Sequence, residues 1–449
     1  KSTSTPLFPR QARVALLLPL IAEQALSVTI GLADTLMVSS VGEAAVSGVS
    51  LVDSFNTLMI QVMSALATGG AVVTSQYIGH REPKNAKAAA AQILFVLSSF
   101  SVLVAAVVIG GRHAILRGIF GSIDADVMHY AETYFLLSAL SYPFIGLYNA
   151  GAALFRAQGN SKISMLSSLV MNVVNIGGNA VLIYGFGMGV MGAALASLVS
   201  RAIACAVVLY LLQKPGCALR VDSLRAMAPN GGLIRRILRV GIPAGIENGM
   251  FQIGKLLVAG LITTFGTSAI AANAICNNVG SMSNIPGSAI GLAMITVVGQ
   301  CVGAKDYQQA RHYTKTLLAA AYVSMGLLNI ALFLLAPYLV GFYAMPQTTT
   351  DLALSVLQVN CVVTVLIWPS SFTLPNALRA AGDARFTMVT SMVSMWVFRI
   401  GMSYVLGAWL GMGLFGVWTA MQIDWAVRSL VFGVRFLGHK WEKARVLEG

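Results

Sequence analysis

Apolar residues in this chain come in runs too long for strands and too unbroken for the faces of water-soluble helices, and each run ends at a short polar stretch. Twelve such runs can be marked, near residues 13–39, 45–79, 86–111, 130–155, 163–186, 190–213, 237–264, 268–302, 312–341, 350–377, 386–410 and 414–436. A helix needs ~20 residues to cross the ~30 Å hydrocarbon layer of a bilayer, and every run is long enough. None shows the short alternation of a transmembrane barrel strand. Backbone amides find no water in hydrocarbon, so the runs are expected as helices. The composition, 57% hydrophobic and only 10% charged over 449 residues, agrees. The expected fold class is an all-α polytopic membrane protein with twelve transmembrane helices. The first run is too long for a cleaved leader and carries Glu23 and Asp34, so it counts as the first span.

The net charge of +13 does not indicate a nucleic-acid partner, because the basic residues lie in short loops between apolar runs. They report topology instead. Lysines and arginines gather at the N-terminal segment (Lys1, Arg10, Arg13), at Arg81, Lys84 and Lys87, at Arg156 and Lys162, from Lys214 to Arg239, at Lys305, Arg311 and Lys315, at Arg379 and Arg385, and in the tail from Arg435 to Arg445. The alternate loops carry only Arg112 and Arg117. The positive-inside rule then places both termini in the cytoplasm of a multi-pass protein of the inner (cytoplasmic) membrane. The five cysteines, Cys205, Cys217, Cys276, Cys301 and Cys361, lack the paired spacing of a disulfide framework or zinc site and read as free thiols.

The sequence also repeats. A shift of 224 residues superimposes Pro19 on Pro243, Glu23 on Glu247, Gly42 on Gly266, Gln76 on Gln300, Gly79 on Gly303 and Ala86 on Ala310 without a gap. GMGVMGAALAS from Gly187 pairs with GMGLFGVWTAM from Gly411, and RAQGN from Arg156 with RAAGD from Arg379 after a one-residue slip. Two pseudo-symmetric six-helix lobes are expected, residues 1–225 with a cytoplasmic linker and 226–449 with a cytoplasmic tail. An even number of spans separates equivalent positions, so the halves share one orientation, as in transporters built from parallel repeats, with the transport path expected between them.

Ionisable residues inside spans are costly and mark function by default. In GLADTLMVSSVG, Asp34 stands twenty-one residues into a span that starts inside, roughly 30 Å along the helix at about 1.5 Å per residue. It has no basic neighbour one turn away, so it can take up a proton, or bind a monovalent cation where neutral oxygens converge. The alternative is a structural carboxylate. The fifth span offers such oxygens in Asn172, Asn175 and Asn179, of which Asn175 and Asn179 share a helix face, and Ser197 follows one span later. The same asparagines can instead bond helix to helix.

Glu23 and Glu247 each lie four residues past a proline, and Pro19 and Pro243 are expected hinges, since a proline frees a carbonyl within its helix. For Glu247 a salt bridge with Lys255 stands beside substrate contact; Glu23 and Asp53 are further candidates for substrate or coupling roles. Asp424 and Arg428, at i and i+4, are expected to neutralise each other. Methionines such as Met37, Met63 and Met250 suit a deformable apolar cleft. No GxxxxGK[ST] loop is present, which removes ATP-driven transport within this chain, and no HExxH or convergent nucleophile points to an enzyme. Asp124, Asp126 and His129 read as a solvated turn. An ion gradient is left as the energy source.

Taken together, several segments resemble the multidrug and toxic compound extrusion (MATE) transporters. They are the first span ending in VGEAAVSG, TSQYIGHREPKNAKAA closing the second, RAQGN and NVVNIGGN, with GIPAGIEN, GQCVGAKDYQQA and RAAGD in the second half. The resemblance covers nearly the whole chain. It implies a V-shaped pair of six-helix lobes and alternating-access export of organic, often cationic or amphipathic, compounds in exchange for protons or sodium, with no cofactor. The chain looks closer to the DinF-like branch, whose first-span aspartate and fifth-span polar residues map onto Asp34, Asn175 and Asn179, with Ser197 in the sixth span, as the proton or Na+ site. That branch commonly has an aspartate at the position of Asn179, so Asp34 is the only acid of the set and the coupling ion stays open between H+ and Na+. The NorM-like branch places acids in the second lobe, where Glu247 fits but the tenth span offers none. The implied partners are a small organic molecule, a monovalent cation and membrane lipid, with a monomer expected and no nucleic acid. The alternative is a lipid-linked precursor flippase of the wider MOP superfamily, for which Arg201, Lys255 and Arg399 are the cleft-facing cations to seek.

Overall fold

The structure is a computed structural model that describes residues 5–121, 124–221 and 224–448, the side chains of Asp34, Thr35, Glu43, Phe120 and Leu224 lying outside the description. All regular elements among the described residues are helices. They are α1 (Arg10–Ser39), α2 (Glu43–Gly79), α3 (Pro83–Phe120), α4 (Ala125–Ala157), α5 (Ser161–Asn179), α6 (Val190–Leu212), α7 (Gly231–Thr263), α8 (Thr267–Ser283), α9 (Ile285–Gly303), α10 (Tyr307–Gly341), α11 (Gln347–Trp368), α12 (Pro375–Ala381), α13 (Ala384–Val393) and α14 (Gly413–Leu437). Wider π-helical turns continue α5 (Ala180–Gly185), join α11 to α12 (Pro369–Thr373) and extend α13 (Ser394–Gly401, Ser403–Trp409).

The elements follow the twelve apolar runs: α8 with α9, α11 with α12, and α13 with its π turns each make one run. Nine helical stretches among the described residues are long and apolar enough to cross a membrane by length and composition, and the remaining runs are shorter or more polar. The chain is therefore an all-α, membrane-embedded protein. One expectation needs correcting. The run 268–302 is not a single helix but breaks at Asn284, because Pro286 has no amide to donate back to Met282; the ladder restarts with Ser288 N–H donating to the Asn284 carbonyl at 3.0 Å.

The repeat extends to backbone detail. In RAQGN, Gly159 adopts φ 83° and the amides of Gly159 and Asn160 donate back to the Arg156 and Phe155 carbonyls at 2.9 and 3.0 Å. In RAAGD, Gly382 adopts φ 101° and the amides of Gly382 and Asp383 donate to the Arg379 and Leu378 carbonyls, both at 2.9 Å. Only glycine enters this left-handed region freely, so each motif ends a helix at a fixed residue and leaves its arginine in the last turn. Arg81 (φ 59°) and Lys305 (φ 57°), 224 residues apart, adopt the same left-handed turn without glycine.

Contacts divide the chain into two compact units, Val14–Gly245 and Ile246–Gly449, the second including the segment up to Arg13. In the first, α4 packs on α2, α3 and α6, and α5 on α6. The start of α7 crosses α2 at Gly69, where an added Cβ would stand 2.6 Å from the Ile237 carbonyl oxygen and 2.7 Å from the Gly241 nitrogen. In the second, α10 lies on α9 and α11, and α14 on the π turns after α13. A core of Ile275, Cys276, Val356, Leu357 and Trp418 fills it near the start of α8. The N-terminal segment belongs here: the Leu7 and Phe8 amides donate to Gln309 Oε1 (2.9 Å) and Tyr313 Oη (3.2 Å).

The Gly69 contact is backbone to backbone, so neither side can rotate away. Gly69→Ala is expected to destabilise the detergent-solubilised protein by about 1–3 kcal/mol, the usual cost of overpacking, read as a lowered thermal midpoint. An unchanged midpoint would show that the two helices part to admit the methyl group.

Candidate functional site

The expected cation site lies on α5 and α6. Gly178 allows their approach, since a Cβ there would stand 2.9 Å from Ala196 Cβ. The approach brings Ser197 against α5, and its hydroxyl donates to Asn175 Oδ1 at 3.4 Å. Asn179, one turn on along the same face, is fully buried. Asn172 turns elsewhere and donates to Ser168 Oγ at 3.3 Å. Asp34 is carried by α1, and its side chain lies outside the described residues.

Asp53 belongs to a separate polar cluster of α2, α4 and α6. Tyr134 donates to its Oδ1 at 2.9 Å, Tyr142 donates to Asn56 Oδ1, and Arg201 Nη1 donates to Ser141 Oγ at 2.6 Å. Arg201 is thereby engaged within its own unit.

Glu23 and Glu247 are each held by an arginine near the end of a helix, next to the loop in which sequence charge places it. Glu23, 7% exposed, accepts from Ser164 Oγ at 2.9 Å and has Arg156 Nη1 3.6 Å away. Glu247, 8% exposed, accepts from Arg379 Nη2 at 2.6 Å and from Ser391 Oγ at 2.8 Å. The partner of Glu247 is thus Arg379 and not Lys255, since the glycine-capped end of α12 holds Arg379 beside α7 while Lys255 lies two turns further along the same helix. Both arginines are more than four-fifths buried, which explains why they are poor reporters of a loop. The clue available in the sequence was the joint repetition of glutamate and RAxG. Pro19 and Pro243 lie within α1 and α7, which stay helical through both.

Asp424 and Arg428 form the expected pair, at 2.9 Å and almost fully buried, and Ser394 also donates to Asp424 Oδ1. Lys255 and Arg399 both face the ring of Phe251, and neither lies within salt-bridge distance of an acid among the described residues. The cysteines are free, and Asp124, Asp126 and His129 are exposed. Among the described residues no three His, Cys, Asp or Glu side chains group as metal ligands.

Removing one partner of a buried pair leaves the other charge unpaired, at a cost of about 3–5 kcal/mol. Glu247→Gln and Arg379→Gln are each expected to destabilise strongly and the double variant by less than their sum, read from thermal unfolding of the four proteins. Strict additivity would mean that the pair contributes no coupling.

Comparison with known proteins agrees with this architecture. A family model, MatE, matches residues 19–181 and again 243–405, two segments offset by the repeat length. The chain is 27% identical to the "Uncharacterized transporter YisQ" of Bacillus subtilis, covering 94% of this chain and 93% of that one. It is 26% identical to the "Probable multidrug resistance protein NorM" of Thermotoga maritima, covering 98% and 94%. Among solved structures, an outward-facing multidrug resistance MATE transporter of the MOP superfamily superposes with a TM-score of 0.89 at 21% identity over 97% of this chain and 99% of that one. A MATE transporter in complex with MaL6 gives 0.90 at 20% identity over 96% and 97%. With both repeats matched, most of the chain lies within the family, and the protein is a member of the MatE family of multidrug efflux transporters.

Proposed function

We propose that this transporter is a secondary antiporter, exporting an organic, amphipathic compound from the cytoplasm by alternating access in exchange for H+ or Na+. The lobes are residues 1–225 and 226–449, and the coupling site comprises Asp34, Asn175, Asn179 and Ser197. The observation that carries this reading is the convergence of Asn175 and Ser197, with Asn179 on the same face of α5. Two contacts show α5 running alongside α1: Ser161 Oγ donates to the Leu16 carbonyl at 2.6 Å, and Ser164 Oγ to Glu23. Asp34 follows Leu16 by as many residues as Asn179 follows Ser161, so equal rise of about 1.5 Å per residue brings the two to a similar depth.

The chemistry fits either ion. A carboxylate among amide and hydroxyl oxygens gains a neutral form when desolvated, and the same oxygens can complete a shell around sodium. Glu23 and Glu247 are already occupied by arginine and serine and suit a structural role in each half. Lys255 and Arg399, which make no ion pair among the described residues, favour the second reading, transport of a lipid-linked anion.

Efflux from proteoliposomes under separately imposed proton and sodium gradients tests the antiport. Asp34→Asn is expected to abolish gradient-driven efflux, and Asn175→Ala to reduce it severalfold if sodium is the coupling ion but only weakly if the proton is. Wild-type efflux in Asp34→Asn would remove this residue from coupling.

A further inference from the structure

Around Phe251 in Ile246–Gly449, cations outnumber the acids paired with them among the described residues. Three cations surround one phenyl ring: Arg399 Cζ lies 5.1 Å from the centre of Phe251, Lys255 Nζ 5.7 Å and Arg428 Cζ 5.9 Å. Arg428 also lies 5.2 Å from the Phe372 ring. Among the described residues only Arg428 of the three makes an ion pair, with Asp424, whose charge Arg399 also feels from further off. The acid one turn before Phe251 on α7, Glu247, is held by Arg379. Arg399 is 8% exposed, its Nε is buried, and its guanidinium has no hydrogen-bond acceptor among the described residues.

A ring face attracts a cation by ~0.5–2 kcal/mol, too little to offset the desolvation of two like charges brought to the same ring. A buried guanidinium beside a second cation is stabilised by an anionic acceptor. Trp425 Nε1, in the aromatic group that Phe372 forms with Trp368, is also a buried donor without a partner among the described residues. The unmet acceptors nearby, Asp424 Oδ2 and Glu247 Oε2, belong to carboxylates whose other oxygen an arginine already holds. Arg399 rides on the π turn Ser394–Gly401, and such wide turns recur at functional sites because they redirect a side chain that a regular helix would place elsewhere.

We propose that Arg399 and Lys255 bind the anionic group of the transported compound, a carboxylate or phosphate, while Phe251, Phe372 and Trp368 receive its apolar or aromatic body. The guanidinium supplies a planar, two-pronged donor and the lysine a flexible second charge. This rests on the transporter reading and narrows its substrate to an organic anion. The chemistry is the same whether the anion is a free molecule or a lipid phosphate.

Equilibrium dialysis of radiolabelled 1-naphthoate against detergent-solubilised full-length protein tests the site without any gradient, so its outcome is independent of whether Asp34 couples efflux. Naphthoate is expected to bind at least tenfold tighter than 1-naphthylmethylammonium. Arg399→Gln should weaken it tenfold or more, Lys255→Gln severalfold, and Lys162→Gln, an exposed position in the first turn of α5, by less than twofold. Should Arg399→Gln fail to fold, Arg399→Lys, which keeps the charge but loses the fork, should still weaken naphthoate binding. Displacement of naphthoate by dioctanoyl phosphatidate in the wild type would identify a lipid phosphate as the natural group, and no displacement a soluble anion; both support the site. Equal or tighter binding of the ammonium compound, or naphthoate affinity unchanged in Lys255→Gln and Arg399→Lys, would overturn it.

Discussion

Glu23 and Glu247 sit within helices that traverse hydrocarbon, and each meets an arginine at the end of another helix of its own half. A lone carboxylate there would cost several kcal/mol or take up a proton, and a lone guanidinium would cost as much without that escape. Much of the local architecture follows from satisfying both. The arginine has to lie in the last turn of its helix to reach inward, so that helix must stop at a fixed residue. Glycine in the left-handed conformation at positions 159 and 382 stops it there, and the serines of the next helix supply the remaining hydrogen bond. RAxG is thus one device with three parts: a charge, a stop and a turn.

On this shared frame the two halves differ in what they leave uncompensated. In the first, the polar atoms brought together on α5 and α6 are neutral, an amide of Asn175 and the hydroxyl of Ser197. In the second, Arg399 and Lys255 stand around an aromatic ring. The backbone irregularity is kept in both, since π turns follow α5 and α13 ahead of the matching glycine-rich loops. Repetition thus preserved the helix ends and turns, which any chain crossing hydrocarbon twice in this way requires, while the mid-helix side chains diverged.

Features written as local pattern could be read before the structure. Helix length and apolarity gave the spans, the 224-residue shift gave the halves, and i, i+4 spacing gave the pair of Asp424 and Arg428. Features that depend on which helices become neighbours could not. Lys255 is close to Glu247 along α7, yet Arg379, 132 residues away, takes the carboxylate, because only the fold brings the end of α12 to α7. Arg156 and Arg379 looked like loop charges because each lies one or two residues from a turn, where a sequence does not show which way a side chain points. The break at Asn284 was legible as Pro286 but was hidden within a continuous apolar run.

Two helices belong to both compact units. The boundaries fall inside α1, after Arg13, and inside α7, after Gly245, each within about one or two turns of a proline, Pro19 or Pro243, and each helix then carries one of the paired glutamates. A ligand can shift a conformational equilibrium only by its difference in affinity for the two states, and coupling between two sites requires an element that both sites bias. Each of α1 and α7 is one helix that contributes residues to both units, with Asp34 on α1 and Phe251 and Lys255 on α7. The ion pairs of Glu23 and Glu247 fix both helices to their halves at mid-length. On the proposed function, a change of charge at Asp34 is accommodated between Glu23 and the end of α1, and one at Lys255 between Glu247 and the end of α7.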